Sequence, residues 1–285
     1  MRGYLDLMKL RVVELLLVST LPAMILAAKG LPSFSLVAAT IIAGTFAAGS
    51  ANGFNMVIES DIDKLMERTS KRPIVTGVIS KTNAAIFATV IGVISLLMFW
   101  FLTTPLATLL AFIAIVFYVV VYTIALKQRT SQNIVWGGLA GCMPVIIGWA
   151  AVTNSLSMTA LAFFMVIFFW TPPHFWALAI KYKDDYSAAG IPMLPVVATK
   201  ARVHKEMWFH TIMMIACSIW LIISAGFPLW SMVVTVLLGL VFARELLALK
   251  EGSENYVKTA AKIFQWSITY LSLLSVVLVA AQLSV

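Results

Sequence analysis

Long apolar runs separated by short polar punctuation make up nearly the whole chain. Taking about 20 consecutive apolar residues as one helical crossing of a bilayer, the pattern predicts spans at 11–29, 34–57, 82–103, 105–126, 134–153, 156–180, 207–226, 229–249 and 261–283. The breaks are turn-like, as in KGLPS, TTP, TNS and GFP, or they are charged. No stretch resembles a soluble domain, a long linker or a low-complexity tract. The expectation is therefore an all-α polytopic membrane protein, a bundle of nine transmembrane helices forming one domain over residues 1–285. The opening MRGYLDLMKLRVVELLLVST runs into the first span without a small-residue cleavage site, so it is read as retained.

Composition agrees with this pattern. The chain is 61% hydrophobic and 11% charged, with mean hydropathy +0.98, well away from the roughly one-quarter charged make-up of soluble domains. Cys142 and Cys217 fall inside apolar spans far apart in sequence and are read as small hydrophobes rather than a disulfide. The +8 net charge sits in loops and orients the chain, because Lys and Arg loops stay cytoplasmic. With the N-terminus inside, nineteen of the twenty Lys and Arg lie on the cytoplasmic side, Lys29 being the exception. The C-terminus is then outside a cell membrane, the lipid bilayer is the main partner, and no nucleic acid is expected.

All twelve acids also gather at the cytoplasmic side, which orientation does not require. The densest stretch is NMVIESDIDKLMERTSKRP, residues 55–73, with four acids and four bases. Asn55, Glu59 and Asp63 recur every fourth residue, so a continuous helix would present an amide and two carboxylates on one face. Asp61 would point away from that face, serving another purpose, unless the helix unwinds before it. Carboxylates at the end of a span are costly in low dielectric and mark function. A second charged stretch, HFWALAIKYKDDYSAAGIPMLP at 174–195, closes the sixth predicted span. There Lys181 and Asp185 have the spacing of an i,i+4 pair, with Lys183 and Asp184 beside them. The two clusters are expected to face each other as halves of one cytoplasm-facing cavity.

Clustered carboxylates among cations suit a hard divalent ion shared with substrate phosphates, and Mg²⁺ binds in that way. Arg68, Lys71 and Arg72 could clamp the remaining phosphate oxygens, Arg through its planar fork. At the mouth of an apolar bundle, the combination points to a prenyl diphosphate, with its head at the interface and its tail between helices.

These residues also carry a resemblance. NMVIESDIDKLMERTSKRPIVTG resembles the first acidic motif of the UbiA-type intramembrane prenyltransferases, and WTPPHFWALAIKYKDDYSAAGIPMLPVV is similar to the heme-prenylating branch of that family. The likeness extends from the YLDLMKLRVVELLLVST start through the nine predicted spans. Glu59 stands where the family most often has Asp, and Lys181 occupies the first position of the usual second DxxxD.

The resemblance implies an Mg²⁺-dependent farnesyl transfer from farnesyl diphosphate to a vinyl group of heme B, with hydration to heme O. It implies a metal set of Asn55, Glu59, Asp63, Asp184 and Asp185, assisted at the diphosphate by Arg68, Lys71, Arg72 and Lys183. Lys181, Arg202, Lys205, Lys9 and Arg11 are unranked partners for the heme propionates. A heme A synthase or a terminal oxidase assembly factor would be a downstream partner. His174, after Pro172 and Pro173, has three open roles: bonding carbonyls freed by the prolines, contacting the heme iron, or directing water as a base. His204 and His210, near the seventh span, are read as interfacial. Three alternatives stay open: a relative acting on a quinone precursor or another tetrapyrrole, a cation transporter, and a non-catalytic heme-handling protein.

Overall fold

The computed structural model describes residues 2–285, except for the side chains of residues 11–17, so Arg11 lies outside the described residues. The helices in chain order are α1 (Arg2–Met8), α2 (Leu10–Ala28), α3 (Phe34–Glu59), α4 (Lys81–Leu102) and α5 (Pro105–Val116), which continues as a π-helical stretch over Phe117–Leu126. They are followed by α6 (Asn133–Thr153), α7 (Met158–Lys181), α8 (Lys183–Ala188) and α9 (Leu194–Val197). The last three are α10 (Lys200–Ser224), α11 (Leu229–Leu247) and α12 (Tyr256–Leu283). Among the described residues, eight helices are long and apolar enough to span a bilayer, and Val18–Ala28 within α2 is a shorter apolar helix. This is the all-helical membrane architecture the pattern predicted.

The turn-like breaks act as helix punctuation. Ser33, Ser80, Thr104, Ser157 and Thr199 cap α3, α4, α5, α7 and α10 by accepting from a backbone N–H. Asn154 ends α6 in the left-handed region with φ 50°, and Gly226 follows α10 with φ 68°. α10 begins at Lys200 rather than 207, and α12 at Tyr256 rather than 261. Hydropathy detects only the most apolar part of a helix, whereas the first turns of α10 and α12 mix charged residues with buried ones such as Val203, Tyr256 and Ala260.

Sequential helices pack side by side and the bundle closes on itself, with α12 against α2 and α7 against α6, α10 and α12. α7 is the central element: 72% of its most apolar window is buried, against 17% for the α5 span. α3 and α4 approach closely through small residues. A Cβ on Gly53 would meet the Ala88 methyl at 2.9 Å, and Ser95 donates to the Ala43 carbonyl at 2.7 Å. Close backbone approach of this kind drives helix association where lipid supplies no hydrophobic force between helices. Phe101, Trp100, Val93 and Val90 of α4 point outward and are exposed, as a lipid-facing stripe requires.

Cys142 and Cys217 are both free and buried. The first charged loop packs on the second: Met66 shares a small apolar cluster with Tyr186, Ile191 and Met193. This contact brings the two acidic stretches to the same end of the bundle.

Candidate active site

One cavity of about 400 Å³ opens between the two charged loops and runs into the bundle, within the range of ligand-binding sites. Small residues carve it. Gly44, Ala47, Ala48 and Ala51 of α3 face Gly137, Gly138 and Gly141 of α6 across the space. A Cβ added to Gly44 or Gly141 would meet nothing within 4 Å, because both border open volume.

The polar end is built from residues distant in sequence. α3 ends at Glu59, and Asp63 begins a 3-10 turn, Asp63–Leu65. The predicted continuous helical face through Asn55, Glu59 and Asp63 is therefore broken, yet all three side chains are buried, at 2%, 1% and 3% exposure. The turn swings Asp63 inward and leaves Asp61 in solvent, where hydrogen bonds from Lys64 and Lys81 hold its carboxyl down to about 2. Asp61 thus serves the loop, and the helix does unwind before it.

Each of the three buried groups meets a cation. Lys127 donates to Glu59 Oε2 at 2.5 Å and Arg72 to Asp63 Oδ2 at 2.5 Å. Lys9 donates to Asn55 Oδ1 at 3.1 Å. The Asn55 amide is oriented from its other side, since Nδ2 donates to Thr123 Oγ1 at 3.2 Å and Thr123 donates to the Tyr118 carbonyl at 2.9 Å inside the π-helical stretch. Such wide turns recur at functional sites. Burial holds the Lys9 ammonium well below the usual lysine range, and the charges of Arg72 and Lys127 add to the effect. Lys9, Arg68, Arg72 and Lys127 all line the cavity, whereas Asp63 is the only carboxylate among its described lining residues. The mouth is set for an anion.

The second acidic stretch is arranged differently. Tyr182 breaks the helix between α7 and α8, so Lys181 and Asp185 do not share a helix and form no ion pair, contrary to the spacing-based expectation. Asp185 is half-buried and accepts from the Arg68 backbone N–H at 3.4 Å, while the Arg68 guanidinium lies 5.9 Å from the Tyr186 ring centre. Asp184, Lys183 and Lys71 are exposed and are not among the cavity-lining residues. Among the described residues, no three acidic, His or Cys side chains converge closely enough to hold a metal by themselves.

Of the unranked propionate partners, only Lys9 lines the main cavity among the described residues. Lys181 lines a smaller groove between α7 and α12, and Arg202 and Lys205 are exposed on α10. His174 does line the cavity. Its Nδ1 lies 2.6 Å from Ser267 Oγ of α12 rather than on a proline-freed carbonyl. The ring stacks on Trp170 at 4.3 Å and on Phe264 at 4.5 Å. His210 bonds the Glu206 carbonyl at 2.8 Å and His204 stacks on Tyr256 at 5.8 Å, and neither lines the cavity.

The pattern characteristic of the UbiA prenyltransferase family matches residues 16–280. The chain belongs to the UbiA prenyltransferase family. Among its relatives, a protoheme IX farnesyltransferase of Renibacterium salmoninarum is 50% identical over 280 residues, spanning 97% of this chain and 88% of the relative. One from Frankia casuarinae is 48% identical over 285 residues, covering 99% and 98%. A UbiA homolog from Archaeoglobus fulgidus bound to GPP and Mg²⁺ shares the fold, with TM-score 0.71 at 17% identity over 99% of this chain and 100% of that one. A structure of digeranylgeranylglyceryl phosphate synthase in membranes gives TM-score 0.82 at 14% identity over 100% and 99%. UbiA membership sets aside the transporter and non-catalytic alternatives.

Proposed function

We propose that the chain transfers the farnesyl group of farnesyl diphosphate to a vinyl group of heme B and adds water, giving heme O and diphosphate. The carrying observation is near 50% identity, along nearly the whole chain, to relatives named protoheme IX farnesyltransferase. The cavity suits that chemistry, with a cationic mouth for a diphosphate and an apolar, aromatic interior for a prenyl chain and a porphyrin.

In the transfer, the C1–O bond of farnesyl diphosphate breaks and its electron pair leaves with diphosphate. The vinyl π pair then forms the new C–C bond, and water adds to the resulting cation beside the porphyrin ring, losing a proton. Lys9, Arg68, Arg72 and Lys127 surround the departing anion and stabilise the charge that develops on it. Lys71 and Lys183 sit further out and attract the diphosphate from solution. The buried interior keeps bulk water from the cation until the C–C bond has formed.

Mg²⁺ fits the donor set. Asn55 Oδ1 and the Glu59 and Asp63 carboxylates are hard, buried oxygen donors, each held now by a cation that a metal would displace. Asp185 supplies a half-buried oxygen from the facing loop, whereas the exposed Asp184 stays at the rim, outside the direct ligand set. That so few acids converge agrees with an ion completed by substrate phosphates and water. When bound, Mg²⁺ supplies charge neutralisation at the diphosphate.

The 1–285 chain acts as one domain, with the N-terminus and both charged loops cytoplasmic and the C-terminus outside. A heme A synthase or oxidase assembly factor would receive the product. Impermeant labelling of Ser70→Cys from the outer face of intact cells would overturn that orientation. The activity is tested by incubating the purified protein with heme B, farnesyl diphosphate and Mg²⁺ and weighing the hemes. A farnesylated, hydrated heme is expected, whereas unchanged heme B would contradict the assignment.

A further inference from the structure

His174 is placed with more care than a core histidine needs. Ser267 has one hydroxyl proton, and its Oγ lies 2.6 Å from the Phe264 carbonyl, to which it donates. Toward His174 Nδ1, also at 2.6 Å, the same oxygen must then accept. The imidazole is therefore the tautomer with its proton on Nδ1, and Nε2 carries a free lone pair. The Ser267 carbonyl is itself fixed by the Trp170 indole N–H at 2.7 Å. With Trp170 and Phe264 stacked on the ring, rotation about either side-chain bond is blocked. His174 lines the cavity, and no described residue hydrogen-bonds its Nε2.

An imidazole held through Nδ1 by an acceptor, with Nε2 open to a cavity, has the arrangement of a metal-ligating histidine supported by its outer shell. Resting on the farnesyl-to-heme assignment, we infer that His174 Nε2 is the axial ligand of the substrate heme iron and that Ser267 is the positioning residue that sets its tautomer. Depth favours this over action as a base. His174 lies seven residues before the end of α7 at Lys181, roughly 10 Å below the mouth at 1.5 Å per residue. The carbon that takes water is two bonds from farnesyl C1 and stays close to the diphosphate at the mouth. The iron, at the porphyrin centre, is the part of the substrate that lies deeper. Ligation at that depth would tether the porphyrin and hold a vinyl edge toward the Asn55–Asp63 end.

The test titrates heme B and metal-free protoporphyrin IX into the purified full-length protein. His174→Ala should shift the Soret band and weaken heme binding about tenfold or more, while protoporphyrin IX binding stays within about twofold. Ser267→Ala should weaken heme binding roughly tenfold, in keeping with loss of an outer-shell partner, and Ser267→Thr, which keeps the hydroxyl, should restore it. Added imidazole should return the unsubstituted spectrum to His174→Gly. If the substituted proteins do not fold, near-infrared magnetic circular dichroism of the unsubstituted complex reads the axial ligand directly, and absence of a histidine signature overturns the inference. A folded His174→Ala protein with unchanged heme spectrum and affinity overturns it too, including when its product is an unhydrated farnesyl heme, which would make His174 a base. Product mass from the unsubstituted protein tests the transfer assignment separately. Heme O formed with a His174-independent spectrum sinks the ligation alone, and no farnesylated heme sinks the transfer.

Discussion

The two charged stretches look alike in the sequence, each a cluster of acids and bases closing a span, yet the structure uses them differently. At the end of α3 two of the four acids are buried and individually matched, Glu59 to Lys127 and Asp63 to Arg72, while Asp61 and Glu67 stay exposed. After α7 the charges stand in solvent, except for Asp185 against the Arg68 amide. Burial rather than acid count separates a site that holds charge in low dielectric from one that offers charge at its rim.

The sharpest break in that comparison is a pair of substitutions. Asp63→Ala removes a buried donor from the cavity and should lower turnover by roughly 10²–10³-fold or more. Asp184→Ala removes a solvated carboxylate and should leave initial rates within about threefold. Equal losses in a product-formation assay would erase the distinction. Chelation belongs with the larger effect: excess chelator should abolish turnover and added Mg²⁺ restore it, and full activity in chelator would remove the metal from the account.

Next in size is the cost of separating a buried pair. Lys127→Met leaves Glu59 charged and unmatched, which should destabilise by about 3–5 kcal/mol. Glu59→Gln together with Lys127→Met should recover most of that loss, because no lone charge remains buried. Thermal unfolding in one detergent measures both, and additive losses would show that the two side chains are not coupled.

How much of this was legible in the sequence depends on the type of contact. The spans follow from local hydropathy, and the caps at Ser33 and Thr104 fall within the turn-like breaks KGLPS and TTP. Asn55, Glu59 and Asp63 stood out, but spacing alone implied a continuous helix, and the turn after Glu59 is set by packing of its loop on the facing one. Lys9 and Lys127 act across 46 and 68 residues. From the sequence, Lys9 is one of several unranked propionate partners and Lys127 bears only on orientation. A lone Lys at a span end, on the side where buried acids collect, was the available signal. Ser267 left no trace, being one hydroxyl in an apolar helix. The small-residue runs AAGSANG and GGLAG mark the cavity walls, although the same composition also serves helix packing.

A smaller effect sharpens the view of those walls. A Cβ at Gly141 meets nothing within 4 Å, so Gly141→Leu should project into the cavity, keeping the fold while farnesyl transfer drops about tenfold, read as kcat/KM beside an unchanged unfolding temperature. An unfolded variant would mean that the position is packed. The smallest expected effect is on α10. Arg202→Ala and Lys205→Ala remove exposed charges away from the cavity and should change the KM for heme less than twofold, and a larger rise would return them to the substrate site.

The central claim is that the buried cluster at the end of α3 receives the diphosphate and that the cavity behind it receives the chain. The direct measurement is an experimental density map of the protein with Mg²⁺ and a non-hydrolysable farnesyl thiodiphosphate. Diphosphate density among Asn55, Asp63, Arg72, Lys9 and Lys127, with the tail running between α3 and α6 past Gly44 and Gly141, is the predicted result. Diphosphate density seated instead on Lys183 and Asp184, with the cavity unfilled, would contradict it.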